Sequence, residues 1–142
     1  MTSQTADPFH IPVRIYWEDT DAGGIVFYAN YLKFFERART EWLRARGVSQ
    51  ERLREELGTA FVVTDTSVRF IAPARLDDLL EVTVVVERAG QASIRIAQQA
   101  WRTAAEGEAP RLLAEGTIRI GCVDLGTFRP CRIPTDVLDT IQ

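Results

Sequence analysis

Apolar residues recur along this chain with two different periods, and the change from one to the other marks its most informative stretch. From Ile11 to Thr20 they alternate, with Val13, Ile15 and Trp17 on one side and Arg14, Tyr16 and Glu18 on the other, which predicts a first strand with one buried face. From Asn30 the spacing lengthens. Tyr31, Phe35, Ala38 and Trp42 fall at i, i+4, i+7 and i+11, Phe34, Leu32 and Leu43 widen the stripe, and Lys33, Glu36, Arg37, Arg39 and Arg44 take much of the rest. This spacing predicts a deeply buried helix of about 16 residues, or ~24 Å in length. Asn30 is its N-cap and Gly47 its stop. Ser49 caps a second, short helix that carries Leu53 and Leu57 and ends at Gly58.

Beyond Gly58 the helical period is lost. Ala60–Phe70, Leu79–Arg88, Ala92–Arg102 and Arg111–Val123 are rich in Val, Ile, Thr and aromatics, and turn material separates them: Ala72-Pro73-Ala74, Gly90-Gln91, and Glu106 through Pro110. Connections this short demand antiparallel pairing. Pro134 to Ile141 reads as a last helical turn. The expectation is an α+β domain over residues 11–142, with one long helix and five antiparallel strands, behind a disordered leader over residues 1–10. The third strand is apolar at Leu79, Leu80, Val82, Val84, Val85 and Val86, leaving few polar residues for a solvated face. A sheet apolar on both sides meets another surface, so a homo-oligomer is expected.

Composition removes several functions. At 142 residues with 46% hydrophobic content the chain buries a core without disulfide or metal, and its net charge of −3 argues against a general nucleic-acid binder. Cys122 and Cys131 lack CxxC spacing and read as buried or incidental thiols rather than metal ligands. The first ten residues lack the basic-then-apolar pattern of a signal peptide, and no apolar run approaches the roughly 18 residues that cross a bilayer. A cytoplasmic protein with no membrane insertion is expected.

Chemistry concentrates where the period changes, from Trp17 to Tyr31. Three carboxylates (Glu18, Asp19, Asp21) and the pair Gly23-Gly24 stand between a strand and a helix start, whose first N–H groups are unpaired and carry the positive end of the dipole. Asp residues in such a turn ordinarily form or cap it. Asp21 is the candidate reaction centre and Asp19 its competitor. Tyr31, Phe34, Phe35 and Trp42 read as core rather than substrate pocket. Glu36, Arg37 and Glu41 read as a solvated or interface-paired face, Arg37 and Glu41 being an i, i+4 pair.

The run Glu18-Asp19-Thr20-Asp21-Ala22-Gly23-Gly24-Ile25-Val26, followed by Ala29-Asn30-Tyr31-Leu32-Lys33-Phe34-Phe35-Glu36-Arg37-Ala38-Arg39-Thr40-Glu41, resembles the signature of hot-dog-fold acyl-CoA thioesterases of the 4-hydroxybenzoyl-CoA thioesterase family, and most of all its Tol-Pal-associated branch. The likeness continues through Pro73-Ala74-Arg75-Leu76-Asp77-Asp78 and ends at Arg129-Pro130-Cys131-Arg132-Ile133-Pro134, covering nearly all of the chain past residue 10. It implies a long helix wrapped by an antiparallel sheet, two copies joined edge to edge, a homotetramer where two dimers pair, and a site at the dimer interface. It places the catalytic aspartate on Asp21, as nucleophile through a mixed anhydride or as general base on water. It places a carbonyl-polarising backbone N–H on Tyr28. Gly23, Gly24, Ile25 and Val26 then line the substrate, with no cofactor or metal. Thioester chemistry suits so spare a site, because a thiol of pKa about 8.5 leaves with little acid assistance.

Two positions depart from the family. Tyr28 stands where many relatives of the Tol-Pal-associated kind carry histidine, and the chain's one histidine, His10, falls in the expected leader. The hairpin Ala89-Gly90-Gln91-Ala92 lacks the basic residues relatives place against the CoA phosphates, leaving Arg88, Arg129 and Arg132 for that role. These departures keep open a non-catalytic protein that holds acyl-CoA, an acyl carrier protein or an envelope-associated partner. A hydratase acting on enoyl thioesters is disfavoured, since that chemistry pairs an acidic residue with a histidine.

Overall fold

The computed structural model of the chain describes residues 7–142. Strand β1 (Phe9–Arg14) leads through a 3-10 turn (Trp17–Asp19) and a glycine loop into helix α1 (Asn30–Ala45). A short helix α2 (Gln50–Arg52) runs on as a π-helical turn over Leu53–Leu57. Then come β2 (Thr59–Phe70), β3 (Leu79–Ala89), β4 (Ser93–Arg102), β5 (Arg111–Asp124) and helix α3 (Thr135–Ile141). All neighbouring strands are antiparallel, in the order β1-β3-β4-β5-β2. This is the helix-and-sheet arrangement that the resemblance implies.

Helix α1 lies on the sheet through Tyr31, Phe34, Phe35, Ala38, Trp42 and Leu43, all buried and packed with Leu80, Val82, Ile94, Ile96, Leu113 and Ile118. The aromatic positions expected as core are core. Two others differ. Leu32 is exposed, and Arg39 is buried because it meets a polar partner inside. The Arg37–Glu41 pair does not form either: Glu41 bonds Arg44, while the Arg37 guanidinium lies 6.0 Å from the Phe34 ring centroid. Gly47 ends the helix region in the left-handed conformation expected of it, as Gly58 does after the π turn. Ser49 caps α2 by accepting the Arg52 N–H at 3.2 Å.

Other expectations need correction. Of the leader, residues 1–6 lie outside the described residues, whereas Phe9 and His10 belong to β1, opposite Val84 and Thr83. The first strand stops at Arg14 rather than running on to Thr20. Beyond it the Asp19 carboxylate takes the Tyr16 N–H at 2.8 Å, folding 17–19 into a turn. The connection Ala72-Pro73-Ala74 is no hairpin. It carries the chain from β2, at one edge, back to β3 beside β1, and the Ile71 and Ala72 N–H groups both reach the Leu113 carbonyl.

The outer face is more polar than the apolar run of β3 suggests. Val85 is exposed there, but exposed cross-strand ion pairs join Arg95 to Glu87 (3.1 Å), Arg69 to Glu115 (3.2 Å) and Arg119 to Asp65 (3.7 Å). Apolar exposure is instead marked on edge strand β2, where Val63 is 50% accessible beside a bulge between Val63 and Asp65. Among the described residues, no helix is long and apolar enough to cross a membrane.

Candidate active site

The glycine loop is held at its base by a few backbone bonds. Thr20 and Val26 form an antiparallel bridge, the Asp21 N–H donates to the Ile25 carbonyl at 2.9 Å, and the Gly24 N–H donates to the Asp21 carbonyl at 3.0 Å. Ile25 bridges to Arg75, and the Val26 N–H donates to Ala74 at 2.9 Å, anchoring the loop on the Pro73–Asp78 segment. That segment is braced in turn by the buried Tyr31 hydroxyl, which accepts the Ala74 N–H at 3.3 Å. Burial raises the Tyr31 pKa, with the Ala74 bond opposing and Asp78 adding to the rise. The tyrosine therefore stays a neutral strut.

The two competing aspartates have separate surroundings. Asp19 is buried. Its carboxylate holds the Tyr16 N–H, and its carbonyl receives both the Phe27 N–H (3.0 Å) and Asn30 Nδ2 (2.9 Å). Asn30 thus lies within the helix as a donor back to the turn rather than as the N-cap, a position that Ala29 takes. Asp21 is exposed, and its Oδ1 accepts the Gly23 N–H at 2.8 Å. A Cβ on Gly23 would stand 3.2 Å from that same Oδ1, so glycine keeps the carboxylate clear, while Gly24 takes φ +78°, open to glycine at little cost.

Downstream, Val26 is buried and serves as an anchor, whereas Ile25, Phe27 and Tyr28 are exposed. An aromatic chain runs from core to surface, Phe34 to Tyr31 (5.8 Å), Tyr31 to Phe70 (5.6 Å), Phe70 to Tyr28 (5.8 Å) and Tyr28 to Phe27 (5.0 Å). The Asn30, Tyr31 and Leu32 N–H groups close the first helical turn on Phe27, Tyr28 and Ala29. Among the described residues no acceptor is bonded to the N–H of Tyr28, which stands just before the helix.

Sequence reasoning named Arg88 but missed the two arginines that stand beside it. Arg88 pairs laterally with Arg95, and Arg95 with Arg119, so three arginines lie abreast across β3, β4 and β5 and line, with Gly90 and Ser93, a cleft of about 360 Å³. Glu87 and Asp65 already offset Arg95 and Arg119, and no carboxylate is bonded to Arg88 among the described residues. Only the strand register reveals this row. Arg129 and Arg132 are exposed on the segment before α3 and do not line that cleft, though the segment meets the β3–β4 hairpin where the Ile133 N–H donates to Gln91 at 2.7 Å. A larger groove of about 510 Å³ lies between α1 and the β2–β5 edge, lined by Leu32, Lys33, Glu36, Arg39, Val63 and Ile118 among others. Asp21 does not line it.

Residues 15–141 match the family model described as the thioesterase-like superfamily. The chain belongs to that superfamily. Its thioesterase-like relatives include an acyl-CoA thioesterase, YbgC, of Haemophilus influenzae, 43% identical over 129 residues that cover 91% of this chain and 90% of that protein. The acyl-CoA thioester hydrolase YbgC of Escherichia coli O6:H1 is 42% identical over 130 residues, 92% of each chain. In structure, the chain resembles a 4-hydroxybenzoyl-CoA thioesterase variant solved with 4-hydroxybenzoyl-CoA, with a TM-score of 0.87 at 20% identity over 96% of this chain and 100% of that one. That likeness fixes the hot-dog fold of this thioesterase-like chain.

Proposed function

We propose that the glycine loop and the start of α1 form a thioester-cleaving centre built on Asp21. The chain is an acyl-CoA thioester hydrolase, converting an acyl-CoA to free acid and CoA; its YbgC relatives carry that name over nine-tenths of their length. The observation that carries the site reading is the contrast between the aspartates. Asp19 spends its oxygens on local structure, while Asp21 presents its carboxylate to solvent from a loop whose glycines give a ligand room.

The Tyr28 N–H, free of any helical partner, accommodates the thioester oxygen as negative charge grows on it. Asp21 supplies the attacking oxygen, or takes a proton from the attacking water. The thiolate departs without an acid, so the absence of a histidine in this loop costs the reaction little. The Arg88–Arg95–Arg119 row suits the CoA phosphates, replacing basic residues missing from the hairpin, with Arg129 and Arg132 on the neighbouring segment.

The reading extends to an assembly. Asp21, Ile25, Phe27 and Tyr28 stand open in one copy, and the exposed apolar edge of β2 beside the α1 groove suits a second copy that closes the site, two such dimers making a homotetramer. The long runs from Glu18 to Val26 and Ala29 to Glu41 support membership of the Tol-Pal-associated branch, in the cytoplasm.

The test is thiol release from a panel of short, medium, long and aromatic acyl-CoAs, followed with a chromogenic reagent. Turnover above background on at least one is expected. Tight binding with no release from any member would favour a holding protein and overturn the enzyme reading. Single turnover in heavy-oxygen water tests the nucleophile role of Asp21: a mixed anhydride that water opens at the Asp21 carbonyl leaves enzyme oxygen in the first acid released and heavy oxygen in Asp21, whereas direct attack by water on the thioester never labels Asp21.

A further inference from the structure

The two cysteines, far from any metal-ligand pattern in the sequence, are brought together by the segment between β5 and α3. The Asp124 N–H donates to Arg129 (2.9 Å), Val123 bridges to Pro130, and the Cys131 N–H donates to the Cys122 carbonyl (2.9 Å). The turn between them is held by the Asp124 carboxylate, which accepts the Gly126 and Thr127 N–H groups at 2.8 and 3.1 Å. The result is a Cys122 Sγ to Cys131 Sγ separation of 3.3 Å. The two sulfurs are thus already in contact, and closing to an S–S bond of about 2.0 Å needs only a small further approach.

We propose that Cys122 and Cys131 are an oxidation site that closes to an intramolecular disulfide when the protein meets a hydroperoxide, fastening the segment that bears Arg129 and Arg132 to β5. The pair divides the work by environment. Cys131 is half-buried, so its sulfur is the one an oxidant in solvent reaches first. Cys122 is buried, and burial together with the Cys131 contact pushes its thiol up to about 12. It therefore waits as a neutral thiol and reacts only with a neighbour already in contact.

In the first step the Cys131 sulfur attacks one oxygen of the hydroperoxide. An S–O bond forms, the O–O bond breaks, and the alcohol leaves with a proton, giving a sulfenic acid. In the second, the Cys122 sulfur attacks the Cys131 sulfur. The S–S bond forms, the S–O bond breaks, and the departing hydroxide leaves as water with the Cys122 proton. Two thiols lose two electrons, and the hydroperoxide is reduced to alcohol and water. Because Ile133 is tied to the β3–β4 hairpin through Gln91, the new bond fixes the whole strap between β5 and α3. This inference rests on sulfur geometry and is independent of the acyl-CoA reading.

The test uses the full chain, reduced and then exposed to hydrogen peroxide, with remaining thiols alkylated under denaturing conditions. Trypsin does not cut before Pro130, so residues 120–132 emerge as one peptide holding both cysteines. The expected product is that peptide lighter by two hydrogens and unalkylated, reversed by dithiothreitol, with a melting temperature about 5 °C above the reduced protein. Cys131→Ser should show neither change while Cys122 remains alkylatable after denaturation. Two alkylated cysteines, added oxygen without loss of the hydrogens, or a link between two chains on a non-reducing gel would each overturn the proposal. The mass readout on the unaltered chain stands even if the variant folds poorly.

Discussion

The side-chain Nδ2 of Asn30 donates to the carbonyl oxygen of Asp19 at 2.9 Å, and the same oxygen receives the Phe27 N–H at 3.0 Å. One carbonyl thus pins both the helix start and the loop's return, setting the Tyr28 N–H relative to the Asp21 turn. Asn30→Ala should lower stability by about 1 kcal/mol, the worth of one part-buried hydrogen bond. It should also lower kcat about ten-fold, because a small shift of positioned groups is costly in rate. Urea unfolding and steady-state kinetics on the same preparation separate the two effects. Unchanged kcat would remove Asn30 from site positioning.

Two glycines differ in what they tolerate. A Cβ on Gly116 would lie 2.9 Å from the Ser67 carbonyl oxygen and 3.1 Å from Val68 Cγ2, with the Phe35 ring at 3.4 Å. Gly116→Ala should therefore cost about 2 kcal/mol through overpacking. At Gly24 there is nothing within 4 Å but φ is +78°, so Gly24→Ala should cost about 1 kcal/mol through backbone strain alone. Denaturant midpoints of the two variants check the order.

Arg39 is buried without a carboxylate bonded to it among the described residues, and burial lowers its pKa while Glu36 opposes. Its Nη1 donates to Gln98 Oε1 at 2.9 Å, and Gln98 Nε2 donates onward to the Phe35 carbonyl (3.0 Å) and the Thr83 carbonyl (3.2 Å). Gln98→Leu strands all three partners and should cost about 3 kcal/mol. Arg39→Met with Gln98→Leu should cost less than the two single changes summed, as a double-mutant cycle reads directly.

Local patterns carried far in the sequence and lateral ones did not. The helix from Asn30 to Ala45 and the ends of β2 to β5 lie within a residue or two of their expected places, because period and turn residues are properties of neighbours along the chain. The early end of β1 was hidden, since it depends on the Asp19 carboxylate reaching back to Tyr16. The sheet order was hidden as well. It places β2 at the far edge and aligns Arg88, Arg95 and Arg119, while the contact of Cys131 with Cys122 depends on the turn that Asp124 holds after β5. At the candidate site the sequence offered Asp21 and Asp19 as rivals; their different engagements appear only when the loop is closed.

The Cys122 thiol adds an alkaline liability. Its pKa is raised from 9.0 to about 12, so below pH 9 both folded and unfolded forms keep the proton and the group is neutral to stability. Above that, the unfolded chain ionises first, and stability falls until the folded thiol also titrates near pH 12. Relative to Cys122→Ala, the unaltered protein under reducing conditions should therefore lose melting temperature more steeply between about pH 9 and pH 10.5. Parallel curves would contradict the burial of that thiol.

The central claim is that Asp21 does the chemistry, and Asp21→Asn tests it most directly. Asparagine keeps an oxygen for the Gly23 N–H, so the loop is preserved while the negative charge is lost. With the acyl-CoA turned over fastest, kcat should fall about 10³-fold, with the melting temperature unchanged. A normally folded Asp21→Asn protein that retains full turnover would contradict the account.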